Sequence, residues 1–152
     1  NCFQFKTFCL ATSASNVTSI YSNSLTINSP TFNRPNGTAG FSYYYQAIQI
    51  STAVSGRYNL RSRSSIDTYG CLYSQTFYPS SPSLNLIGCD DDSGGERQFS
   101  MNNTLSQLNV YVLVVTTYDR SDTGNYSVIA TGPSTVHMSS ITPSSTAYPP
   151  SS

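Results

Sequence analysis

The chain has few charged side chains, one histidine and no tryptophan. Charged residues make up 9% of its 152 residues, against about 25% in ordinary globular proteins. Seven basic and seven acidic residues cancel, so no net field would attract a nucleic acid or an anionic membrane surface. We therefore expect no nucleic-acid partner.

Long apolar runs and helical periodicity are also absent. No apolar stretch approaches the roughly 18 residues that a membrane-spanning helix needs, so we expect no membrane span. The chain begins without a methionine or a charged-then-apolar leader, which predicts a mature or excised product.

The residues of a catalytic site are missing as well. The segment Asp92-Ser93-Gly94-Gly95 is similar to the sequence around a trypsin-like nucleophilic serine, but such a serine needs an imidazole base. The one histidine, His137, follows this serine, whereas the trypsin-like order places it before. With no cofactor motif and no metal-ligating histidine pair, the sequence predicts that the protein is not an enzyme.

What the sequence does contain is a series of short strand-like runs, separated by clusters of Gly, Pro, Asn and Ser. Strands are predicted at residues 24–28, 41–52, 57–64, 66–73, 84–89, 98–101, 110–118 and 126–131, and the one helical candidate is 103–107. The run at 110–118 is apolar on both faces and is predicted to be the central strand. This spacing indicates an all-β fold, an antiparallel sandwich or jelly roll, formed by residues 1–133.

The chain has four cysteines and no zinc-like C-x-x-C pair, which favours disulfides and an oxidising compartment. Three connectivities are possible. Cys71 and Cys89 lie in two predicted strands joined by a Pro-containing loop, so a cross-strand bridge is plausible. Cys2 and Cys9 would then close a small N-terminal loop with a bend near Lys6, because their opposite parity forbids a bridge along one straight strand.

Four triplets fit the N-glycosylation acceptor pattern, which is used in secreted eukaryotic proteins. Their asparagines are Asn16, Asn36, Asn102 and Asn125. Attached glycans would keep a nearly uncharged surface soluble, so the sequence predicts an extracellular glycoprotein.

Residues 134–152 change in composition to a Ser/Thr/Pro-rich segment, which predicts an extended tail or linker outside the sandwich. Val136, Met138 and Ile141 are its candidate anchors, and Val136 and Met138 share one face of an extended segment. We expect the tail to lie along a sheet edge, either of its own domain or of a neighbouring copy.

The motifs IDTYGCLYSQTF, NLIGCDDDSGG, YVLVVTTYD and TGNYSV follow one another in residues 40–131. In order and spacing this region resembles the prepeptidase C-terminal (PPC-type) domain family. The resemblance implies a jelly-roll β-sandwich that has no catalytic role and serves as an appendage of secreted proteases or as a module of extracellular proteins. Some members of that family bind collagen or polysaccharide, and some bind calcium.

The stretch CDDDSGGERQ, residues 89–98, holds four of the seven acidic residues and has two interpretations. As a calcium site, the one cofactor the sequence suggests, it would supply oxygen ligands. The candidate ligands are Asp67, Asp90, Asp92 and Glu96. Strand alternation would let Asp90 and Asp92 converge while Asp91 points away. The simpler interpretation is a strand end and turn, in which aspartates bind nearby amides and Gly94-Gly95 adopts positive φ.

Two further surface features have a simple structural interpretation. Tyr43, Tyr44 and Tyr45 are expected to be half core and half surface rather than a sugar-stacking platform. Arg57, Arg61 and Arg63 are all at odd positions and therefore share one face of the predicted strand. A solvent-exposed face is the simpler interpretation, and a binding site for an anionic glycan is the alternative.

These observations predict a non-catalytic extracellular structural glycoprotein, a subunit or tandem repeat of a fibril or surface layer. Copies would assemble head-to-tail through the 134–152 segment into a homopolymer. The alternative is an extracellular module that binds carbohydrate or matrix (collagen). In one form of this alternative, binding depends on calcium.

Overall fold

The computed structural model describes residues 15–144, which form eleven β-strands and no helix. The strands are β1 (Val17–Leu25), β2 (Thr31–Phe32), β3 (Tyr43–Tyr44), β4 (Gln46–Thr52), β5 (Gly56–Ser64), β6 (Thr68–Ser74), β7 (Leu86–Asp90), β8 (Ser100–Leu105), β9 (Tyr111–Thr117), β10 (Gly124–Gly132) and β11 (Val136–Ile141). Within these residues there is accordingly no helix of the length and apolarity that a bilayer span requires.

The strands form two main antiparallel sheets that pack face to face, here called the sandwich. The four-stranded sheet has the order β1-β10-β5-β8, and the five-stranded sheet has the order β11-β4-β9-β6-β7. Alternate side chains of both sheets point inward and form one core, in which Leu60, Leu72, Leu113 and Val128 are fully buried. The predicted all-β antiparallel architecture is confirmed.

A second apolar layer covers the outer face of the five-stranded sheet. Val112 and Val114 of β9 point outward, but they are buried under a layer of aromatic rings, here called the outer cluster. Phe32, Tyr45 and Phe77 pack edge-on in this layer, with ring centroids 4.9–5.6 Å apart. This explains why β9 is apolar on both faces, and the prediction of a central strand at 110–118 is confirmed.

Three predicted elements differ from the structure by more than a shift of their ends. The single strand expected at 41–52 is divided into β3 and β4, which belong to different sheets. Residues 103–107 were expected as the helical candidate, but β8 extends to Leu105 because Met101 and Leu105 alternate inward from an edge strand. The first strand was expected at 24–28, whereas β1 already begins at Val17. It carries polar residues on both faces, which weakens the periodic signal.

The predicted tail is only partly outside the sandwich. Val136–Ile141 forms β11, an edge strand that pairs with β4 in the register Val136↔Thr52 and Met138↔Ile50. Val136 is 3% exposed, and Met138 packs against the main core. These six residues therefore belong to the sandwich, beyond the boundary predicted at residue 133, because their alternating apolar side chains fill its edge. The last residues of the predicted tail, 145–152, lie outside the described part of the chain.

Cys71 and Cys89 are directly opposite each other on β6 and β7 and form a disulfide, with 4.1 Å between their Cα atoms. This is the predicted cross-strand bridge. Cys2 and Cys9 lie outside the described residues.

Candidate functional site

A groove opens where β4 begins and where β1 and β11 end. Its volume is about 680 Å³, within the range of about 300–1,000 Å³ that is usual for ligand sites. Its lining consists of Ser24, Ser29, Pro30, Thr31, Phe32, Asn33, Ser42, Tyr45, Gln46, Ala47, Pro79, Ser80, Ser140, Ile141, Thr142 and Pro143. This lining contains no charged side chain, so the groove suits an uncharged ligand.

The floor of the groove is held rigidly. Phe32 and Tyr45 are 3% and 4% exposed because their rings belong to the outer cluster. The backbone N–H of Tyr45 donates to the carbonyl of Pro30 at 2.9 Å, which fastens the wall that precedes β2 to the start of β4. The aromatic rings therefore shape the groove from below, and its polar contacts come from hydroxyl and amide groups on the walls.

Gln46 is the most constrained polar side chain of the groove. Its Oε1 accepts hydrogen bonds from the hydroxyl groups of Tyr21 (3.2 Å) and Tyr126. Burial raises the pKa of Tyr126 far above its usual value, so this hydroxyl stays protonated and donates. With Oε1 occupied twice, the amide nitrogen of Gln46 has no acceptor among residues 15–144 and remains as a donor for a ligand.

The acidic residues gather differently from the sequence-based prediction. Asp67, Asp91 and Asp92 each place a carboxylate oxygen within 4.8 Å of the others, and we call them the acidic cluster. Asp90 and Glu96 are not part of it, and Asp91 does not point away. Asp67 and Asp92 of the predicted ligand set therefore do come together, whereas the expectation that Asp90 joins Asp92 while Asp91 points away was wrong.

Asp90 has a local structural role instead. Its carboxylate accepts hydrogen bonds from the backbone N–H of Ser93 (3.1 Å) and of Ser100 (2.9 Å), and from the hydroxyl of Ser93 (2.5 Å). These bonds close the turn after β7 and tie it to the start of β8. The turn interpretation thus describes Asp90. Of the two glycines expected at positive φ, Gly95 has a φ of 76° and Gly94 does not have a positive φ. Glu96 and Arg97 also have positive φ, at 54° and 62°, which was not expected.

The signal that would have identified Asp91 lies in the disulfide. Cys71 and Cys89 are opposite each other and point to the outer face. Because parity is conserved along a strand, the positions two and four residues away share that face. Asp67 precedes β6 by one residue and Asp91 follows β7 by one residue, and continuing the alternation by that one residue places both on this face, whereas Asp90 lies on the other.

Arg34 was not identified from the sequence and lies beside the acidic cluster. It is 7% exposed, and its guanidinium carbon lies 3.9 Å from the ring centroid of Tyr69 and 4.6 Å from that of Tyr43. Its Nε and Nη1 are buried without a hydrogen-bond partner in the described part of the chain. Its charge favours the ionised carboxylates of Asp67 and Asp91. The aromatic rings around Arg34, here called the cage of Arg34, come from separate parts of the chain, so no local sequence motif predicts them.

Burial and mutual repulsion raise the pKa of Asp67 and of Asp91, the repulsion coming chiefly from Asp92. Oδ1 of both residues is buried without a hydrogen-bond partner. Oxygen-only donors fit Ca²⁺, which takes six to eight such ligands, so Asp67, Asp91 and Asp92 are the residues that would hold a cation. The guanidinium of Arg34 supplies positive charge to the same carboxylates and compensates them in part.

Asp91→Asn is expected to stabilise the protein at pH 7 in the presence of a chelator. A carboxyl whose folded pKa is raised contributes stability below its unfolded pKa and loses it as the pH rises through the folded value. The variant removes this penalty, so its melting temperature should exceed that of the wild type at pH 7, with a difference that disappears towards pH 4. Thermal unfolding across this pH range, with the exposed Glu96→Gln as control, tests the expectation. Equal melting temperatures at pH 7 would contradict it.

All four predicted acceptor asparagines are exposed. Asn16 precedes β1, Asn36 lies in the segment between β2 and β3 with φ of 60°, Asn102 is on β8 and Asn125 is on β10. Their side chains are accessible to a modifying enzyme, and their use stays a prediction.

No protein-family model matches the chain, and no curated protein matches it at a significant level. The resemblance to the PPC-type domain family therefore stays a prediction.

Proposed function

We propose that this chain is a non-catalytic extracellular module that recognises an uncharged carbohydrate in the groove. The observation that carries this proposal is the combination of a floor fixed by the outer cluster with walls of hydroxyl groups, amides and prolines that bear no charge. Sugar hydroxyls are both donors and acceptors, so they match serine, threonine, asparagine and glutamine side chains without needing an ion pair.

The proposed module has a jelly-roll topology. Support comes from the two main sheets, in which the strands that neighbour each other are mostly far apart in sequence, as in β1-β10-β5-β8 and β4-β9-β6-β7. Two Greek-key connections between facing sheets produce such orders. An extracellular location and a glycoprotein character are supported by the Cys71–Cys89 disulfide and by four exposed acceptor asparagines.

The absence of catalysis in this proposal is supported by the placement of the only histidine. His137 lies on β11 and Ser93 follows β7, and these strands are the two opposite edges of the five-stranded sheet. The hydroxyl of Ser93 is hydrogen-bonded to Asp90, which fixes a turn. A serine nucleophile needs its base within hydrogen-bond reach.

Gln46→Ala is expected to weaken binding of a neutral oligosaccharide about tenfold, since it removes a half-buried donor from the wall and leaves two tyrosine hydroxyl groups without their acceptor. The probe is the strongest hit from an array of neutral glycans, followed by titration calorimetry. Gln49→Ala is the matched control because Gln49 is exposed on the same strand and does not line the groove. Equal affinities of the two variants would refute the groove as the site, and a hit on collagen alone would favour the matrix-binding alternative.

Self-assembly is the second candidate function, and one observation favours it. β11 is an edge strand that is joined to β10 by three residues only, 133–135, yet it pairs with β4 over six residues. The same strand from a neighbouring copy would fit the same edge, which would link copies head-to-tail. In the described structure β11 completes its own sheet, so its order requires no second molecule, and recognition is the better supported function.

A further inference from the structure

The zero net charge of the chain conceals a separation of charge. The four strands of the four-stranded sheet contain three arginines and no acidic residue. All seven acidic residues lie elsewhere, at position 67 and within residues 90–122. The charged residues of these four strands are therefore all cationic, although the chain as a whole is neutral.

Arg57, Arg61 and Arg63 lie in a line on the solvent face of this sheet. They alternate along β5 with Tyr58 and Leu60, which are buried in the core, and all three arginines are exposed. A strand rises about 3.4 Å per residue, so the arginine Cα atoms are about 13 Å and 7 Å apart. β5 is an inner strand between β10 and β8, which places the row along the middle of what we call the arginine face.

These arginines have few internal partners. Arg61 donates from Nη2 to the carbonyl of Gly94 at 2.9 Å. Arg57 and Arg63 form no side-chain hydrogen bond or ion pair with any residue among 15–144. Among residues 15–144, Glu96 is the carboxylate that lines a concavity together with Arg61 and Arg63. The guanidinium groups of Arg57 and Arg63 are thus available to an external anion.

Apart from Glu96, the polar side chains around the row are uncharged hydrogen-bonding groups. Two shallow concavities of about 390 Å³ each adjoin Arg63. One is lined towards β1 by serine and asparagine side chains, and the other extends to Asn59 and Thr131. The outward positions of the four strands carry no aromatic residue.

We propose that the arginine face binds a linear polysaccharide that carries sulfate or carboxylate groups. A guanidinium group binds such an oxyanion through two parallel hydrogen bonds, and the neighbouring amides and hydroxyls suit the sugar hydroxyl groups. Single-stranded nucleic acids, the other common linear polyanions, are held largely by stacking on aromatic side chains, and the outward positions of these four strands offer none. One concavity beside Arg63 shares Ser24 with the groove, but none of the three arginines lines the groove, so the proposal does not depend on the proposed function.

N-glycosylation would compete with this site. Asn102 lies directly opposite Asn59 in the pairing of β8 with β5 and is exposed on the same face. A glycan at Asn102 would therefore stand beside the arginine row. The experiment uses the full chain produced in a bacterial periplasm, without N-glycans.

The test compares binding of dextran sulfate with that of unsulfated dextran by titration at low and at physiological ionic strength. Arg57→Gln/Arg63→Gln removes two charges from the face, and Arg97→Gln/Arg120→Gln removes two exposed arginines elsewhere. We expect the first pair to weaken binding of dextran sulfate about tenfold and the second pair to weaken it less than twofold. Added salt should weaken wild-type binding steeply. Far-ultraviolet circular dichroism confirms that both variants are folded.

Three results would overturn the proposal. Equal losses in the two double variants would show a response to net charge rather than a site. Equal affinity for dextran and dextran sulfate would exclude recognition of the anion. Tighter binding of oligo-dT than of dextran sulfate at equal charge concentration, with the same loss in Arg57→Gln/Arg63→Gln, would identify a nucleic-acid surface. The Gln46→Ala variant should bind dextran sulfate like the wild type, which separates this site from the groove.

Discussion

Replacing Cys71 and Cys89 together by alanine is expected to lower the free energy of unfolding by about 3 kcal/mol. The cross-link joins residues 18 positions apart, and a loop of that size loses roughly this much conformational freedom in the unfolded chain. For a domain of this length the melting temperature should fall by about 10 °C. Chemical denaturation and thermal unfolding of the double variant measure both quantities.

The disulfide also bears on the groove. The loop that it closes carries Phe77, which packs on Phe32 and Tyr45 in the floor, and Pro79, which lines the wall. The hydroxyl of Tyr73 on β6 donates a hydrogen bond to the carbonyl of Pro82 (2.6 Å), which fastens the same loop to the sheet. We therefore expect the double variant to bind the neutral oligosaccharide less tightly than the wild type.

Two outcomes would contradict this account. If the free energy of unfolding falls by less than about 1 kcal/mol, the cross-link does not restrict the unfolded chain as assumed. Residual packing of the loop's aromatic side chains in the unfolded state would then restrict it instead. Unchanged oligosaccharide affinity, together with the expected loss of stability, would show that the groove does not depend on the order of the 75–85 loop.

Local patterns were sufficient to predict much of the fold. The run at 110–118 is apolar on both faces because one face meets the main core and the other meets the outer cluster, and a continuous apolar run carries that information by itself. Cys71 and Cys89 could be paired because both lie in strand-like runs that flank a loop with prolines. β5 could be predicted from the sequence because buried and exposed positions alternate along most of its length.

The acidic cluster shows why the candidate site was harder to predict. Three consecutive aspartates invite extrapolation of strand alternation from Asp90 onwards, but β7 ends at Asp90 and the chain then turns. Asp92 reaches the cluster through that turn, not through strand parity. Turn geometry after a strand end depends on bonds such as the one from Ser100 to Asp90, which join positions that no local pattern connects.

The groove and the cage of Arg34 are products of tertiary packing. The groove combines side chains from β1, β4, β11 and two connecting segments, and its volume is space left between them. Arg34 is buried because tyrosines from three separate parts of the chain surround it. Composition suggested a Ser/Thr/Pro-rich tail, but three apolar residues at alternating or nearby positions were enough for Val136–Ile141 to complete a sheet.

Cross-linking β11 to its own sheet is expected to abolish any assembly that depends on strand exchange. Ser139 and Gln49 are directly opposite each other on β11 and β4, and both are exposed. Opposed residues of an antiparallel pair have Cα atoms about 4.5–5.5 Å apart, which permits a disulfide without movement of the backbone. Gln49→Cys/Ser139→Cys should therefore lock the strand in place while leaving the core unchanged.

Under strand exchange, the wild type and the Gln49→Ala/Ser139→Ala control form oligomers at high concentration, and the cross-linked variant stays monomeric. Light scattering after size exclusion, and electron microscopy of the same samples, measure the oligomeric state. The difference should be all-or-none, because a strand that is cross-linked to its own sheet cannot pair with another copy. Oligomers of the cross-linked variant would exclude exchange of β11 as the mechanism. A wild type that is monomeric throughout would remove self-assembly as a function, since β11 would then be a permanent part of its own sheet.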